Sequence, residues 1–204
     1  MPFPPDNVIV DDFNRPDEGP PPTGWSGSIF ATSYGLRVIS NEVGGAQPFG
    51  SHEGYWLSPA GDVQEAFVTI VVMPGFDNVF RIHINLTGGG TAFPNGYMVQ
   101  VTDKAPAADE ISIYRLDAGV YTSLDTQTEH LGPGDRFGIR NRESAVTAIR
   151  LLSGGEWEEI LSVEDTTYNI AGYQGLMIGH NVGRLDDFGC GNANVSSIPE
   201  WYVG

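Results

Sequence analysis

The stretch Val79-Phe80-Arg81-Ile82-His83-Ile84-Asn85-Leu86-Thr87 decides how the chain is read, because apolar Phe80, Ile82, Ile84 and Leu86 alternate strictly with Arg81, His83 and Asn85. A period of two is the mark of a β-strand with one face on a core and one polar face. Upstream, Val63 to Met73 sets Ala66, Val68, Ile70 and Val72 on one side but Phe67 and Val71 on the other. That pattern predicts a central strand covered on both faces. Pro74-Gly75 then turns the chain. Outward from this pair, strands are expected at Val8–Asp12, Leu36–Ser40, Tyr55–Ser58, Gly96–Thr102, Glu110–Leu116, Val120–Asp125, Asp135–Arg140, Ala145–Leu152, Trp157–Val163, Gly175–His180 and Arg184–Phe188. Turns at Asp117-Ala118-Gly119, Gly132-Pro133-Gly134-Asp135, Ser153-Gly154-Gly155 and Asn181-Val182-Gly183 predict consecutive antiparallel hairpins. With no amphipathic helix among them, these strands predict an all-β fold, a two-sheet antiparallel β-sandwich of jelly-roll type.

Composition agrees. The 204 residues suit one domain, and Gly (27) with Pro (14) is a density of helix breakers that a helical bundle does not tolerate. The richest apolar run, Phe67 to Met73, falls far short of the roughly 20 residues that cross a bilayer, so a soluble protein without membrane insertion is expected. A net charge of −16 repels phosphate backbones and argues against nucleic acid as a partner. The single cysteine, Cys190, excludes an internal disulfide and a cysteine zinc cluster within one chain. Met1-Pro2-Phe3-Pro4-Pro5-Asp6 has neither a basic region nor an apolar run, so no secretory signal is expected. The division that follows is a lead-in over 1–6, the sandwich over 7–190 and a tail over 191–204.

The order of several short strings resembles the concanavalin A-like lectin/glucanase sandwich in its laminin-G-like form. Val10-Asp11-Asp12-Phe13-Asn14-Arg15 opens the chain and is followed by Gly24-Trp25. A hairpin Ile149 to Trp157 comes next, then Gly172-Tyr173-Gln174-Gly175-Leu176 before a closing Leu185-Asp186-Asp187-Phe188. The opening string also resembles domains of tailed-phage virion proteins, especially tail-associated proteins and adhesins. In such a fold the first and last strands lie side by side, which implies that Asp11, Asp12, Asp186 and Asp187 are neighbours. Two readings follow: a structural calcium ion, with Asp12 and Asp187 as leading ligands, or carboxylates turned singly to solvent and to turn amides.

Catalytic motifs are lacking. The Glu-x-Asp-x-Glu string of the β-glucan-cutting enzymes of this fold is absent; the nearest approach, Glu156-Trp157-Glu158-Glu159, reads as a solvated hairpin edge. No Gly-x-Ser-x-Gly elbow occurs, and His52, His83, His130 and His180 show no close metal spacing. A non-enzymatic binding or structural role is therefore expected.

For binding, the resemblance implies a concave sheet whose outward residues line a groove. Arg81, His83 and Asn85 are expected to project there, with Tyr55, Trp56, Tyr97 and Tyr114 as aromatic candidates for stacking on sugar rings. The competing reading pairs Arg81 with a carboxylate and leaves His83 an ordinary cross-strand residue. Phe3, Trp201 and Tyr202, outside the sandwich pattern, are candidates for protein contacts, with other virion proteins or a second copy of the chain; the alternative is that both ends fold back on their own sandwich. The resemblance thus implies a virion-associated structural protein, on the tail or capsid surface of a phage particle, that binds a bacterial surface glycan. A free carbohydrate-binding module or a glycan-active enzyme is the alternative.

Overall fold

The computed structural model describes residues 9–30, 33–88, 94–142 and 144–193. Fourteen strands occur among them: β1 (Ile9–Asp11), β2 (Tyr34–Ile39), β3 (Glu42–Gly45), β4 (His52–Tyr55), β5 (Gln64–Val72), β6 (Val79–Thr87), β7 (Asn95–Thr102), β8 (Asp109–Asp117), β9 (Val120–Glu129), β10 (Arg136–Arg142), β11 (Ala145–Leu151), β12 (Trp157–Glu164), β13 (Tyr173–Ile178) and β14 (Arg184–Asn192). They form one continuous sheet in the order β12-β11-β10-β5-β14-β3-β2-β4-β13-β6-β7-β8-β9, with β1 added against β14. The sheet doubles back at β2, which pairs with β3 on one side and β4 on the other, and so makes two layers. The back layer runs from β12 to β14 and the front layer from β4 to β9. No helix among the described residues is long and apolar enough to cross a membrane.

The core lies between the layers, supplied by alternate residues of facing strands. Ala66, Val68 and Ile70 of β5 and Phe137 and Ile139 of β10 meet Phe80, Ile82 and Ile84 of β6 and Val99 and Val101 of β7, all fully buried. The rings of Phe80 and Phe137 stack across the interface with centroids 6.4 Å apart. Burying each such side chain stabilises the fold by about 1.5–3 kcal/mol. The expected turns at Asp117–Gly119 and Ser153–Gly155 close the hairpins β8-β9 and β11-β12, whereas those at Gly132–Asp135 and Asn181–Gly183 join strands that do not pair, so the expected hairpins there do not form.

Three features differ from the sequence pattern. β3 is too short and glycine-rich to show a period. β2 and β4 pair in parallel where antiparallel pairing is expected, because the sheet folds over between them. β14 runs through Gly189-Cys190-Gly191 to Asn192, and the Ala193 amide still donates to Val63 O, past the expected end of the sandwich at 190. The glycines hide this strand from periodicity, yet one is required: a Cβ on Gly189 would lie 2.1 Å from the Phe67 ring.

Candidate functional site

Strand register places one polar row across the outer face of the front layer. Glu53 of β4 is opposite Met177 of β13, Met177 is opposite Arg81 of β6, and Gln100, Ser112 and Thr126 follow on β7, β8 and β9. Arg81 Nε donates to Gln100 Oε1 at 2.7 Å, Gln100 Nε2 donates to Thr102 Oγ1 at 3.0 Å, and the Ser112 and Thr126 hydroxyls are 2.9 Å apart. Arg81 Nη1 donates to the Tyr121 hydroxyl at 3.2 Å, and its guanidinium carbon sits 4.9 Å from the Tyr121 ring centroid. Arg81 and Tyr121 stand three strands apart, about 14 Å at ordinary strand spacing, so both side chains lie along the face to meet. Tyr121 also touches Phe30 and Tyr114, with ring centroids 6.0 and 6.2 Å away. The outcome is a polar ladder bordered by three aromatic rings, one of them, Tyr121, 39% exposed.

Glu53 closes the far end of the row. It is buried, its Oε2 accepts the Phe30 amide at 3.1 Å, and the Ser33 hydroxyl also bonds it. Burial pushes its carboxyl above the ordinary range against the pull of these bonds and of the Arg81 charge.

Of the residues expected on this face, Arg81, Tyr55 and Tyr114 lie on it and are partly exposed. His83 is on the same side but fully buried, with neither ring nitrogen bonded in the structure. Its row is overlaid: a Cβ on Gly175, directly opposite His83, would collide with Ile29 and Leu86. Burial, with a smaller effect of Arg81, pushes the His83 imidazole down to about 3, so the ring is neutral. Asn85 departs from the face altogether. A bulge between Ile84 and Thr87, with Asn85 at φ 51°, breaks the alternation. The Asn85 side chain donates to Asp62 O and Ile170 O at 2.8 and 2.7 Å and accepts from Asn141 at 3.0 Å, inside the molecule. Tyr97 pairs with Ile84 and is fully buried between the layers, where its hydroxyl donates to Asp165 at 2.6 Å. Trp56, next to outward Tyr55, turns the other way and packs edge-on against Trp25 at 5.7 Å. Phe3, Trp201 and Tyr202 lie outside the described residues.

Sequence reasoning missed Glu53, Gln100, Tyr121 and Phe30. Gln100 was within reach, since Met98, Gln100 and Thr102 alternate with Tyr97, Val99 and Val101. Tyr121 and Phe30 join the site only through the lie of a hairpin and of an irregular segment.

β1 and β14 do lie side by side. The two Asp-Asp-Phe strings prove to frame an aromatic cluster, in which Trp25 packs on Phe13 and Phe188 with centroids 5.9 and 4.9 Å away. Asp11 is turned inward: it accepts Trp25 Nε1 at 2.8 Å, the Phe13 amide at 2.9 Å and two Arg15 nitrogens at 2.5 and 3.0 Å. Asp187 accepts from Arg136 and from the Thr69 hydroxyl, both at 3.0 Å. Asp12 accepts the Asn14 amide at 3.1 Å. The Asp186 carboxyl is pushed up to about 6, chiefly by burial and then by the charges of Asp187, Glu42 and Asp12. The four aspartates therefore do not converge as a ligand set, and among the described residues no three Asp, Glu, His or Cys side chains are placed to hold a metal ion. Asp11 and Asp187 already bond arginines, while Asp11, Asp12 and Asp187 line one pocket together with Arg15.

Cys190 is buried, which pushes its thiol up to about 12. Glu158 of the Glu156–Glu159 string accepts from Arg150 at 2.8 Å on the hairpin edge.

No protein-family model and no curated protein matches the sequence. Solved structures do match the fold. The carbohydrate-binding module CBM66 from Bacillus subtilis superposes with a TM-score of 0.54 at 11% identity, over 83% of this chain and 93% of that one. The exoplasmic/lumenal domain of VIP36, in a form bound to Ca2+ and Man3GlcNAc, gives 0.62 at 12% identity over 97% and 92%. The CBM2 module of the evolved Dit of Lactobacillus casei BL23 phage J-1 gives 0.60 at 12% identity over 90% and 94%. The chain thus has the concanavalin A-like jelly-roll fold shared by lectin-like domains and carbohydrate-binding modules.

Proposed function

We propose that this protein is a non-enzymatic glycan-binding module whose binding surface is the outer face of the front layer, centred on Arg81, Tyr114 and Tyr121. The observation that carries the reading is the partly exposed Arg81 guanidinium, held on Gln100 and on the exposed Tyr121 ring, with Thr126 exposed beside it and Gln100 and Ser112 buried beneath. Planar polar groups bridge sugar hydroxyls while rings stack on the apolar faces of sugars. Tyr55 extends the same face from β4. Two of the similar structures being carbohydrate-binding modules, and a third having been solved with a bound mannose oligosaccharide, supports the same reading. The match to a module of a phage Dit, with the opening Asp-Asp-Phe-Asn-Arg string, supports carriage on a phage particle as the finer part of the proposal.

The test is a glycan array probed with and without calcium, followed by incubation of any bound polysaccharide and measurement of its chain length. Binding without chain shortening is expected, and unchanged by calcium because Asp11 and Asp187 already hold arginines. No binding, or binding with depolymerisation, overturns the reading. Mass spectrometry of purified particles that fails to find the chain removes the virion part alone.

A further inference from the structure

From the bonding of Arg81 we infer that the front face selects an acidic sugar, one whose carboxylate is gripped by the free edge of the Arg81 guanidinium. The inference rests on the glycan-binding reading above and deepens it.

The chain has 26 acidic residues against 10 basic ones, so an arginine held on neutral partners has acids available that it does not use. Arg15, Arg115, Arg136, Arg140 and Arg150 each make ion pairs of 2.5–3.0 Å. Arg81 makes no ion pair among the described residues; its bonds go to a neutral amide oxygen and a neutral phenol. Those contacts fix the guanidinium plane while engaging only Nε and one side of Nη1. The remaining N–H groups, on Nη2 and the far side of Nη1, have no bond among the described residues. A fixed planar fork with spare parallel donors is the geometry that carboxylates match in two bonds at once, and a guanidinium is only weakly hydrated, so little is lost in using it.

The surroundings of Arg81 add little negative charge of their own. Glu53, the carboxyl nearest along the row, is turned to the Phe30 amide and the Ser33 hydroxyl instead of to Arg81. Its burial weakens the countercharge it can offer. Tyr121 under the guanidinium and the neutral Gln100, Ser112 and Thr126 beside it supply donors and a ring without adding negative charge. Elsewhere the field of a −16 protein repels polyanions, so the protein is expected to take an acidic residue singly at this spot and to prefer glycans in which neutral sugars flank it.

The experiment uses the full chain and an array of bacterial capsular and exopolysaccharides, with each acidic member also printed in carboxyl-reduced form. Reduction turns each uronate into the neutral hexose and leaves the backbone unchanged. Wild-type protein is expected to bind at least one uronate-containing polysaccharide and to lose about tenfold or more in affinity for its reduced form. Arg81→Gln is expected to lose the acidic binding, and Arg81→Lys to recover a part of it. Both variants are checked for an unchanged melting temperature. Equal binding to native and reduced polymers, or unaltered binding by Arg81→Gln, overturns the acidic-sugar inference and leaves the glycan-binding reading standing. Binding to phosphate-bearing polymers only, with none to uronates, also overturns it. No binding to any member overturns both.

Discussion

The two outer faces of the sandwich treat arginine in opposite ways. On the back layer, Arg140 Nε and Nη2 both donate to Glu65 Oε2, at 2.9 and 2.7 Å, with the Glu65 side chain fully buried. Arg136 beside it holds Asp187 and lies over the Phe67 ring. On the front layer, Arg81 rests on Gln100 and Tyr121 with no acid in ion-pair contact among the described residues. The same residue type thus closes one surface and leaves a cation available on the other. A buried matched pair specifies how strands lie together; a fixed unmatched cation is a cost to the free protein that a ligand can recover.

This contrast yields measurable consequences. Glu65→Gln should be the most damaging change, costing about 3–5 kcal/mol because it removes one charge of a buried ion pair. In thermal melts that is a fall of roughly 10 °C for a chain of this size. Arg81→Gln should shift stability by only about 1 kcal/mol, because its hydrogen bonds have a charged donor but lie at a partly exposed site where water competes for it. Comparable losses in the two variants would erase the distinction between the faces.

His83 supplies a pH-dependent signature of the front layer. Its folded-state pKa lies far below the ordinary 6.5, so the unfolded chain binds its proton first as pH falls. Stability from this group is complete above pH 6.5 and is lost progressively on acidification, by about 1.4 kcal/mol per pH unit in the steep region. His83→Met should flatten the fall between neutral pH and pH 5 by on the order of 2 kcal/mol in denaturant titrations. An unchanged pH profile would mean that the imidazole takes up a proton in the folded state.

The smallest effect is expected at the β1–β14 corner. Asp186 has a raised folded-state pKa of about 6 against 3.8. An acid shifted upward contributes stability that is complete below pH 3.8 and lost as pH rises through about 6. Asp186→Asn should therefore stabilise the protein at pH 7.5, by on the order of 1 kcal/mol, less than the shift alone would give because solvent screens this partly exposed carboxyl, and should not do so at pH 4. Equal melting temperatures for the two proteins at both pH values would contradict this reading of the corner.

The elements of this fold were legible where alternation is regular. β6 lies at Val79–Thr87 as its pattern requires, and β7, β8, β11 and β12 lie within a residue or two of their expected ends. Side-chain direction was legible only as far as the alternation holds. At Asn85 the bulge reverses it, and the residue that reads as a surface ligand becomes an interior amide bonded to three partners. His83 keeps its direction but not its exposure, since what covers its row comes from Ile29, far earlier in the chain and in an irregular segment. The Asp-Asp-Phe strings were read correctly as neighbours. The inward turn of Asp11 depends on Trp25 and Arg15, whose joint approach no spacing rule encodes.

The most direct measurement is amide chemical-shift mapping of the labelled full chain on addition of an oligosaccharide from the array. Shifts confined to the outer face of the front layer, around Glu53, Arg81, Gln100, Ser112, Tyr114 and Tyr121, are expected. Shifts clustered instead at the β1–β14 corner or on the back layer around Glu65 and Arg140 would place the glycan on another surface and contradict the assignment of this face.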